Sequence, residues 1–333
     1  MRPVAICGAA AVSAYGAGWR GLGVALANGT RLPGMPDEEP LTNPRARKMM
    51  SRGAYLAAHC LHALVHDAGW DGGERTDVGY YLGVGASGGS LADLTAMLEV
   101  SLVPELSLAR FGDAGLAACN PLLAFQLMNN FTLCHGAILD GIGGPNGALF
   151  SRGAGTTAAL IEAIHAIREG ACERAIAGGA DSATHPVTRA ELAREGFVER
   201  GLVASEGAAL VALTSGPGHC TVWGAAIASG QGRPLAAALA EASSGMALDA
   251  VDAILLVPWG PPAADALRMW AGGLAAARVI DVSLGLGDSL AASPALGWVA
   301  ALDLIAAGGA RRVLVLSAGT DGDVGVVLLG AAA

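Results

Sequence analysis

The chain reads as two halves that repeat the same order of elements. In the first half, a helix is followed by an apolar strand that begins at Arg174, and in the second a helix over residues 294–307 is followed by an apolar strand that begins at Arg312. Further apolar strands follow over residues 206–213 and 323–329, and each half also opens on an apolar strand. Strands that are apolar throughout must be covered on both faces, so the pattern predicts an α/β fold of two similar halves. Chance repetition in a chain rich in alanine and glycine is the alternative interpretation.

The two halves meet at a turn-rich break near residues 215–218. We therefore predict an N-terminal half over residues 1–216 and a C-terminal half over residues 217–333. Apolar residues make up 53% of the 333 residues and charged residues only 15%, which favours a large buried core over disorder. The 49 glycines suit many tight turns between strands and helices.

Charge and hydropathy argue against several classes of protein. The formal net charge is −9 and Lys48 is the only lysine, so no nucleic-acid partner is expected. No uncharged apolar run approaches the roughly 20 residues that a membrane helix needs, and no leader peptide is recognisable, so we expect a cytoplasmic protein without a membrane partner. The six cysteines lack metal spacing, and His59, His62 and His66 could share one helix face but lack further ligands. Neither a metal nor a cofactor is predicted.

The glycine-rich segment 83–89 connects a predicted strand to a predicted helix and fits two motifs. As Gly-x-Gly-x-x-Gly it could bind a dinucleotide, but the segment that should form the second strand contains Pro104 and makes a poor central strand. As Gly-x-Ser-x-Gly it would make Ser87 a hydrolase nucleophile, but no histidine follows His219 to complete the expected order of the triad. The favoured interpretation is an ordinary turn between a strand and a helix.

A second turn, in residues 144–155, connects a short apolar strand to a helix, and the strand after that helix ends in Gly-Gly-Ala-Asp at residues 178–181. This order resembles the nucleophile elbow of the β-ketoacyl-acyl-carrier-protein synthases of the thiolase superfamily. Residues 45–52 and the Glu206-Gly-Ala-Ala strand are similar to further segments of that family. The resemblance implies a thiolase fold, in which two α/β halves form a five-layer α-β-α-β-α arrangement.

The reactive positions of the family are all replaced in this chain. Counting without a gap from either end of the elbow puts the family's nucleophilic cysteine at Gly153. The resemblance puts its two catalytic histidines at Trp259 and Asp288, its lysine at Ser283 and its gating phenylalanine at Thr320. Condensation needs a thiolate to carry the acyl chain and histidines to promote decarboxylation, so the replacements together argue against that reaction.

A chain with the motifs of a condensing enzyme but without its nucleophile resembles the chain-length factor of type II polyketide systems. That protein is a paralogue that pairs with a catalytic ketosynthase. The resemblance implies no activity for this chain alone, a heterodimer with a ketosynthase, and an acyl carrier protein as a further partner. It places the interface strand at residues 146–151. Bulky side chains in a tunnel wall stop a growing chain, because forcing extra methylenes into packed space costs roughly 1–3 kcal/mol. The implied wall draws on Phe125, Leu127, Met128, Phe131 and Phe150.

Arg152 stands beside the replaced nucleophile position. A buried guanidinium needs a partner, so we expect Arg152 either to form an ion pair with Asp288 in the vestigial pocket or to point across the dimer interface. Two other functions stay open. One is an acyltransferase or hydrolase on the same fold that uses Ser87 or Ser151, and the other is a homodimer that only holds acyl carrier protein.

Overall fold

The computed structural model describes residues 3–30, 44–86, 88–151, 154–274 and 278–332. The strands of this part are β1 (Val4–Ser13), β2 (Gly16–Ala17), β3 (Gly79–Val84), β4 (Asn146–Phe150), β5 (Arg174–Ser182), β6 (Glu206–Thr214), β7 (Cys220–Ala228), β8 (Ala253–Pro258), β9 (Arg278–Asp281), β10 (Arg312–Ala318) and β11 (Val324–Ala331). The helices are α1 (Leu22–Ala27), α2 (Pro44–Arg47), α3 (Arg52–Asp67), α4 (Leu91–Ser101), α5 (Leu108–Arg110), α6 (Leu116–Ala118), α7 (Leu123–Leu127), α8 (Phe131–Asp140), α9 (Gly155–Arg168), α10 (Pro186–Arg194), α11 (Leu235–Ala242), α12 (Pro261–Ala271), α13 (Val282–Leu286) and α14 (Ser293–Ala306).

The strands form two sets with the same order. In the first set the order is β4-β3-β5-β6-β1, and in the second it is β9-β8-β10-β11-β7. In each set the first three strands run parallel and the last three are joined by antiparallel pairs. The repeat predicted from the sequence is therefore confirmed strand by strand. The sets are joined where the start of β1 pairs with the start of β7. The domain boundary at residue 216 stays a prediction.

Two helices lie between the strand sets. Helix α9 packs on β3 and β5 of the first set and also on β7 and β11 of the second, and α14 likewise contacts both sets. Every residue of α14 from Ser293 to Ile305 is buried. Because the helix is apolar on nearly all sides, it is stable only where other parts of the protein cover it on all sides. A shared core cluster joins these helices to the inner faces of both sets.

The outer faces are covered by other helices. Helix α3 packs on β1, β5 and β6, and α8 packs on α3. Helices α11 and α12 cover the second set on its outer side. The layers therefore alternate as α-β-α-β-α, and the predicted α/β thiolase arrangement is confirmed. No helix in the described residues is both long enough and apolar enough to span a bilayer.

Candidate functional site

The elbow expected from the sequence lies between β4 and α9. Strand β4 ends at Phe150, and α9 begins at Gly155 after Ala154. The Ala154 N–H donates to the Ser151 hydroxyl over 3.4 Å, which closes the turn before the helix. Arg152 and Gly153 lie outside the described residues, so the expected ion pair of Arg152 with Asp288 stays a prediction.

Trp259 follows β8 and is buried. Its backbone N–H donates to the Ala318 carbonyl over 3.0 Å, which ties the carboxyl end of β8 to that of β10. The indole belongs to a small apolar cluster with Leu192, Leu202 and Leu290. A side chain held this way contributes packing at the position where the resemblance predicts an imidazole.

Asp288 lies close to Trp259, as the resemblance implies for the two histidine positions. The N–H of Gly260, the residue after Trp259, donates to Asp288 Oδ1 over 3.4 Å, and the Asp288 N–H donates to the Val203 carbonyl over 2.8 Å. Only 4% of the residue is exposed. Burial, reinforced by the neighbouring Asp281, raises the pKa of Asp288 to about 7.

Thr320 follows β10 in a turn that the Gly319 N–H closes on the Asp323 carbonyl over 2.9 Å. Its hydroxyl is buried and has no hydrogen-bond partner within the described residues. Because β8 and β10 are parallel neighbours, Trp259 and Thr320 lie at the same edge of the sheet. The structure therefore brings Trp259, Asp288 and Thr320 to one region.

Asp181, at the end of β5, is a buried acid to which the sequence pattern gave no role. Its carboxylate accepts the Ser182 N–H over 2.7 Å and the Ala291 N–H over 3.2 Å. Full burial raises the pKa of Asp181 to about 7, although these two hydrogen bonds oppose the change. The contact with Ala291 connects the first half of the chain to the turn that precedes α14, so Asp181 contributes to the framework behind the site.

An ion pair next to Asp181 was also missed from the sequence. Arg52 Nη2 lies 2.6 Å from Glu206 Oε1, and the hydroxyls of Ser182 and Thr184 donate to Glu206 Oε2 over 2.8 and 3.1 Å. Partial burial alone would raise the pKa of Glu206, but the hydrogen bond and charge of Arg52 outweigh it and lower that pKa. Both partners lie in segments that carry the family resemblance, but their separation along the chain hides the pairing.

Five of the six cysteines lie in surroundings that disfavour a reactive thiolate. Burial raises the pKa of the Cys7 thiol to about 11 and that of Cys220 to about 12, and it also raises the pKa of Cys60, Cys134 and Cys172. A thiol with a raised pKa is mostly protonated at neutral pH and is a weak nucleophile.

The candidate metal-binding histidines of α3 have other partners. His62 Nδ1 lies 2.9 Å from Asp140 Oδ1, and His66 Nδ1 lies 3.0 Å from Asp71 Oδ2. Within the described ranges, no group of three or more His, Cys, Asp or Glu side chains could hold a metal ion.

The predicted tunnel wall lies on the surface of this chain. Phe125 and Leu127 belong to the short helix α7, Met128 follows it, and Phe131 opens α8. The rings of Phe125 and Phe131 pack edge to face with centroids 5.0 Å apart. Phe150, at the end of β4, is 57% exposed. The phenylalanines of α7 and α8 therefore meet, but within one chain they form a surface patch.

A wide apolar surface surrounds these residues. Strand β4 is at the edge of its sheet and pairs only with β3 in the described part of the chain. More than half of the large exposed apolar side chains lie between residues 91 and 150. They are Leu91, Leu98, Val100, Leu102, Val103, Leu106, Leu108, Leu116, Phe125, Leu127, Met128, Ile138 and Phe150. A concentration of exposed apolar side chains and an open strand edge are both typical of a protein–protein interface.

Fold and site together define a thiolase-type α/β protein with an altered reactive region. Residues 33–216, more than half of the chain, match the family of the β-ketoacyl synthase N-terminal domain. The chain therefore belongs to the β-ketoacyl synthase family. No curated protein sequence matches it.

Solved structures share the whole fold, each with 100% of both chains covered. A type II polyketide synthase acyl-carrier protein in complex with its ketosynthase bound to the hexaketide has a TM-score of 0.79 at 14% identity. The ishigamide ketosynthase/chain length factor has a TM-score of 0.77 at 19% identity. A β-ketoacyl synthase from Burkholderia phymatum STM815 has a TM-score of 0.82 at 16% identity. At these identities the likeness establishes the fold.

Proposed function

We propose that this chain is a non-catalytic ketosynthase-like subunit, similar to a chain-length factor, which pairs with an active ketosynthase and shapes its acyl tunnel. The observation that carries the proposal is the absence of a thiol from the elbow. The sequence contains no cysteine between Cys134 and Cys172, so a one- or two-residue change in the register would not restore the nucleophile at Gly153. Without that thiolate the cysteine acyl-enzyme of the family cannot form on this chain.

The replaced histidine positions support the same conclusion. An indole is a hydrogen-bond donor only and does not change its protonation state near neutral pH, so Trp259 cannot substitute for an imidazole in acid–base chemistry. A negatively charged Asp288 would oppose the enolate-like charge that develops when a malonyl unit loses carbon dioxide. The chain is therefore not suited to act as a decarboxylase on its own.

The exposed apolar surface beside β4 supports pairing. An added strand from a partner would satisfy the free edge of β4 and cover Phe150, Phe125 and Met128 at the same time. In that assembly the patch would become part of an enclosed wall, to which Arg152 would also contribute. Because two of the structurally similar proteins are a ketosynthase with its acyl-carrier protein and a ketosynthase/chain length factor, we extend both kinds of partner to this chain.

The test is reconstitution with a catalytic ketosynthase from the same organism. Each protein alone and the co-purified pair would be assayed for elongation of malonyl-acyl-carrier protein, with products identified by mass spectrometry. We expect a stable heterodimer, elongation only by the pair, and longer products when Phe125 or Phe131 is changed to Ala. Met269, which is 80% exposed on α12, supplies the control, because Met269→Ala removes an exposed apolar side chain far along the sequence from the patch.

Other outcomes would favour the remaining functions. A homodimer that ignores the ketosynthase but retains acyl-carrier protein would indicate a scaffold. Turnover of an acyl thioester by this chain alone, lost on Ser87→Ala or Ser151→Ala, would indicate a serine enzyme. Ser87 lies outside the described residues, and the hydroxyl of Ser151 accepts the Ala154 N–H.

A further inference from the structure

A cleft of about 510 Å³ opens between the loop 201–205 and the helices α12 and α13. Asp288 lines the cleft and is buried, with only 4% of the residue exposed. Val203 and Leu284 also line it and are 65% and 61% exposed. The cleft therefore combines a buried carboxylate with apolar side chains that this chain leaves uncovered.

The charges of the cleft are unbalanced. Its charged lining residues in the described part of the chain are Asp265, Arg268, Asp281 and Asp288, which gives three carboxyl groups and one guanidinium. Arg268 donates to Asp265 over 2.9 Å and to Asp281 over 3.0 Å. The guanidinium is therefore already paired, and the cleft offers no free cation to an anionic ligand.

Asp288 is the charged residue of the cleft whose carboxylate has no cationic partner within the described residues. Its side chain accepts the Gly260 N–H over 3.4 Å, which is longer than the usual 2.9–3.0 Å, and the Val203 backbone also stabilises the carboxylate. No cationic side chain of that part of the chain reaches its carboxylate. A buried carboxylate without a cation is unfavourable when it is ionised, so the group takes up a proton unless a partner supplies a positive charge. The raised pKa of Asp288 is consistent with this environment.

We propose that this cleft binds an aliphatic molecule that carries a terminal ammonium group. The ammonium would donate to the Asp288 carboxylate, since it has three N–H donors and no acceptor. The hydrocarbon stem would cover Val203 and Leu284, whose exposure in water is otherwise unfavourable. An anionic ligand would meet net negative charge and is excluded. Binding would depend neither on a partner subunit nor on the proposed role in chain length.

The test uses the purified full-length chain and n-pentylammonium as the probe, with the neutral n-pentanol as its matched control. Binding would be followed by protein NMR chemical shifts at about pH 8, above the pKa of Asp288. We expect pentylammonium to bind at least about tenfold more tightly than pentanol, the factor typical of one charge-assisted hydrogen bond. Asp288→Asn should remove that difference. Asp265→Asn, at an exposed carboxylate of the same cleft, should change the affinity by no more than about threefold.

Equal affinities for the two probes, or unchanged pentylammonium binding to Asp288→Asn, would overturn the proposal. If Asp288→Asn fails to fold, Leu284→Lys gives an independent test, because both probes lose an apolar contact but the new cation should weaken pentylammonium binding more than pentanol binding. The same affinities in Leu284→Lys as in the native chain would count against the site. Binding that appears only in Arg152→Ala would show that the chain fills the site with its own guanidinium, and would overturn the proposal as well.

Discussion

At the residue scale, Gly153 is the position on which the proposed loss of activity rests. A helix N-terminus stabilises a thiolate, so Gly153→Cys before the 14-residue helix α9 should give a reactive thiol. Condensation should still be absent, because Trp259 and Asp288 cannot take over the work of two histidines. Labelling with iodoacetamide followed by peptide mass spectrometry would measure the first effect, and an elongation assay would measure the second.

The native chain controls for labelling of other thiols in the Gly153→Cys experiment, since the buried Cys60 should stay unmodified while the protein is folded. A condensed product from the Gly153→Cys chain alone would contradict the interpretation. It would mean that Trp259 and Asp288 do not mark positions that the reaction requires.

Asp181 gives a pH-dependent prediction at the same scale. Its pKa is raised from 3.8 to about 7 by burial, so between about pH 4 and pH 7 the folded state holds a proton that the unfolded state has released. The free energy of unfolding must therefore fall as the pH rises through this window and level off above about pH 7. In Asp181→Asn this contribution is absent, so the native chain should lose up to about 1.4 kcal/mol more per pH unit than the variant.

Urea unfolding at several pH values between about 4.5 and 8 would measure the difference between the native chain and Asp181→Asn. Asp249→Asn, at an exposed aspartate, should follow the native profile. Parallel profiles for the native chain and Asp181→Asn would show that Asp181 titrates normally despite its burial.

The candidate site was only partly predictable from its residues. The resemblance pointed to Trp259, with a gap of about two residues, and to Asp288 through local motifs, and the structure places these two residues close together. Asp181 and the Arg52–Glu206 pair could not be found in this way. Their contacts join residues more than 100 positions apart, and a single sequence carries no signal for such pairs.

At the scale of elements, the open edge of β4 leads to a prediction about association. Phe150 is 57% exposed at the end of this strand, so Phe150→Asp removes little burial within the chain and should change the free energy of unfolding by no more than about 0.5 kcal/mol. In a dimer formed through β4 the new carboxylate would be buried beside apolar side chains. We therefore expect association to weaken at least about tenfold.

Analytical ultracentrifugation of the native chain and of Phe150→Asp, with the ketosynthase present, would measure this effect. Met269→Asp introduces the same charge at an exposed apolar position of α12 and should leave association unchanged. If Phe150→Asp associates as tightly as the native chain, the interface lies elsewhere.

Most elements were predictable because their signals are local. The expected strand at residues 146–151 is β4, the expected helix at 294–307 is α14, and both agree within one residue at each end. The tunnel wall was harder to predict. The residues of the implied wall between 125 and 131 divide between α7 and α8, because the backbone is extended at Met128, between the two helices.

At the scale of the whole molecule, the internal repeat predicted most of the fold. Each half has strands that face α9 and α14, and it needs the other half to cover them. Association with a partner could not be predicted in the same way. The sequence does not distinguish the exposed apolar residues of segment 91–131 from ordinary core residues. Only their exposure in the folded chain shows that the rest of the described chain does not cover them. Sequence patterns report that a side chain is apolar, but they do not report whether its own chain covers it.

The weak burial of residues 91–131 leads to the last prediction. In this segment only Met97, Ser101, Gly115 and Leu123 are buried, whereas α14 is buried along almost its whole length. Segments with few buried contacts open at low free energy, so amides of 91–131 should exchange with solvent much faster than those of α14 in the isolated chain. When the ketosynthase binds, exchange in 91–131 and in β4 should slow by at least about tenfold, and exchange in α14 should not change.

Hydrogen–deuterium exchange mass spectrometry of this chain alone, diluted, and in the presence of the ketosynthase would measure these rates peptide by peptide. Peptides from α14 are the internal control, because burial between the two strand sets does not depend on association. Protection that depends on the concentration of this chain alone would indicate a homodimer through the same surface. Strong protection of the 91–131 amides from exchange at every dilution, unchanged by the ketosynthase, would show that the segment is stable by itself. Its exposed apolar residues would then no longer argue for a partner.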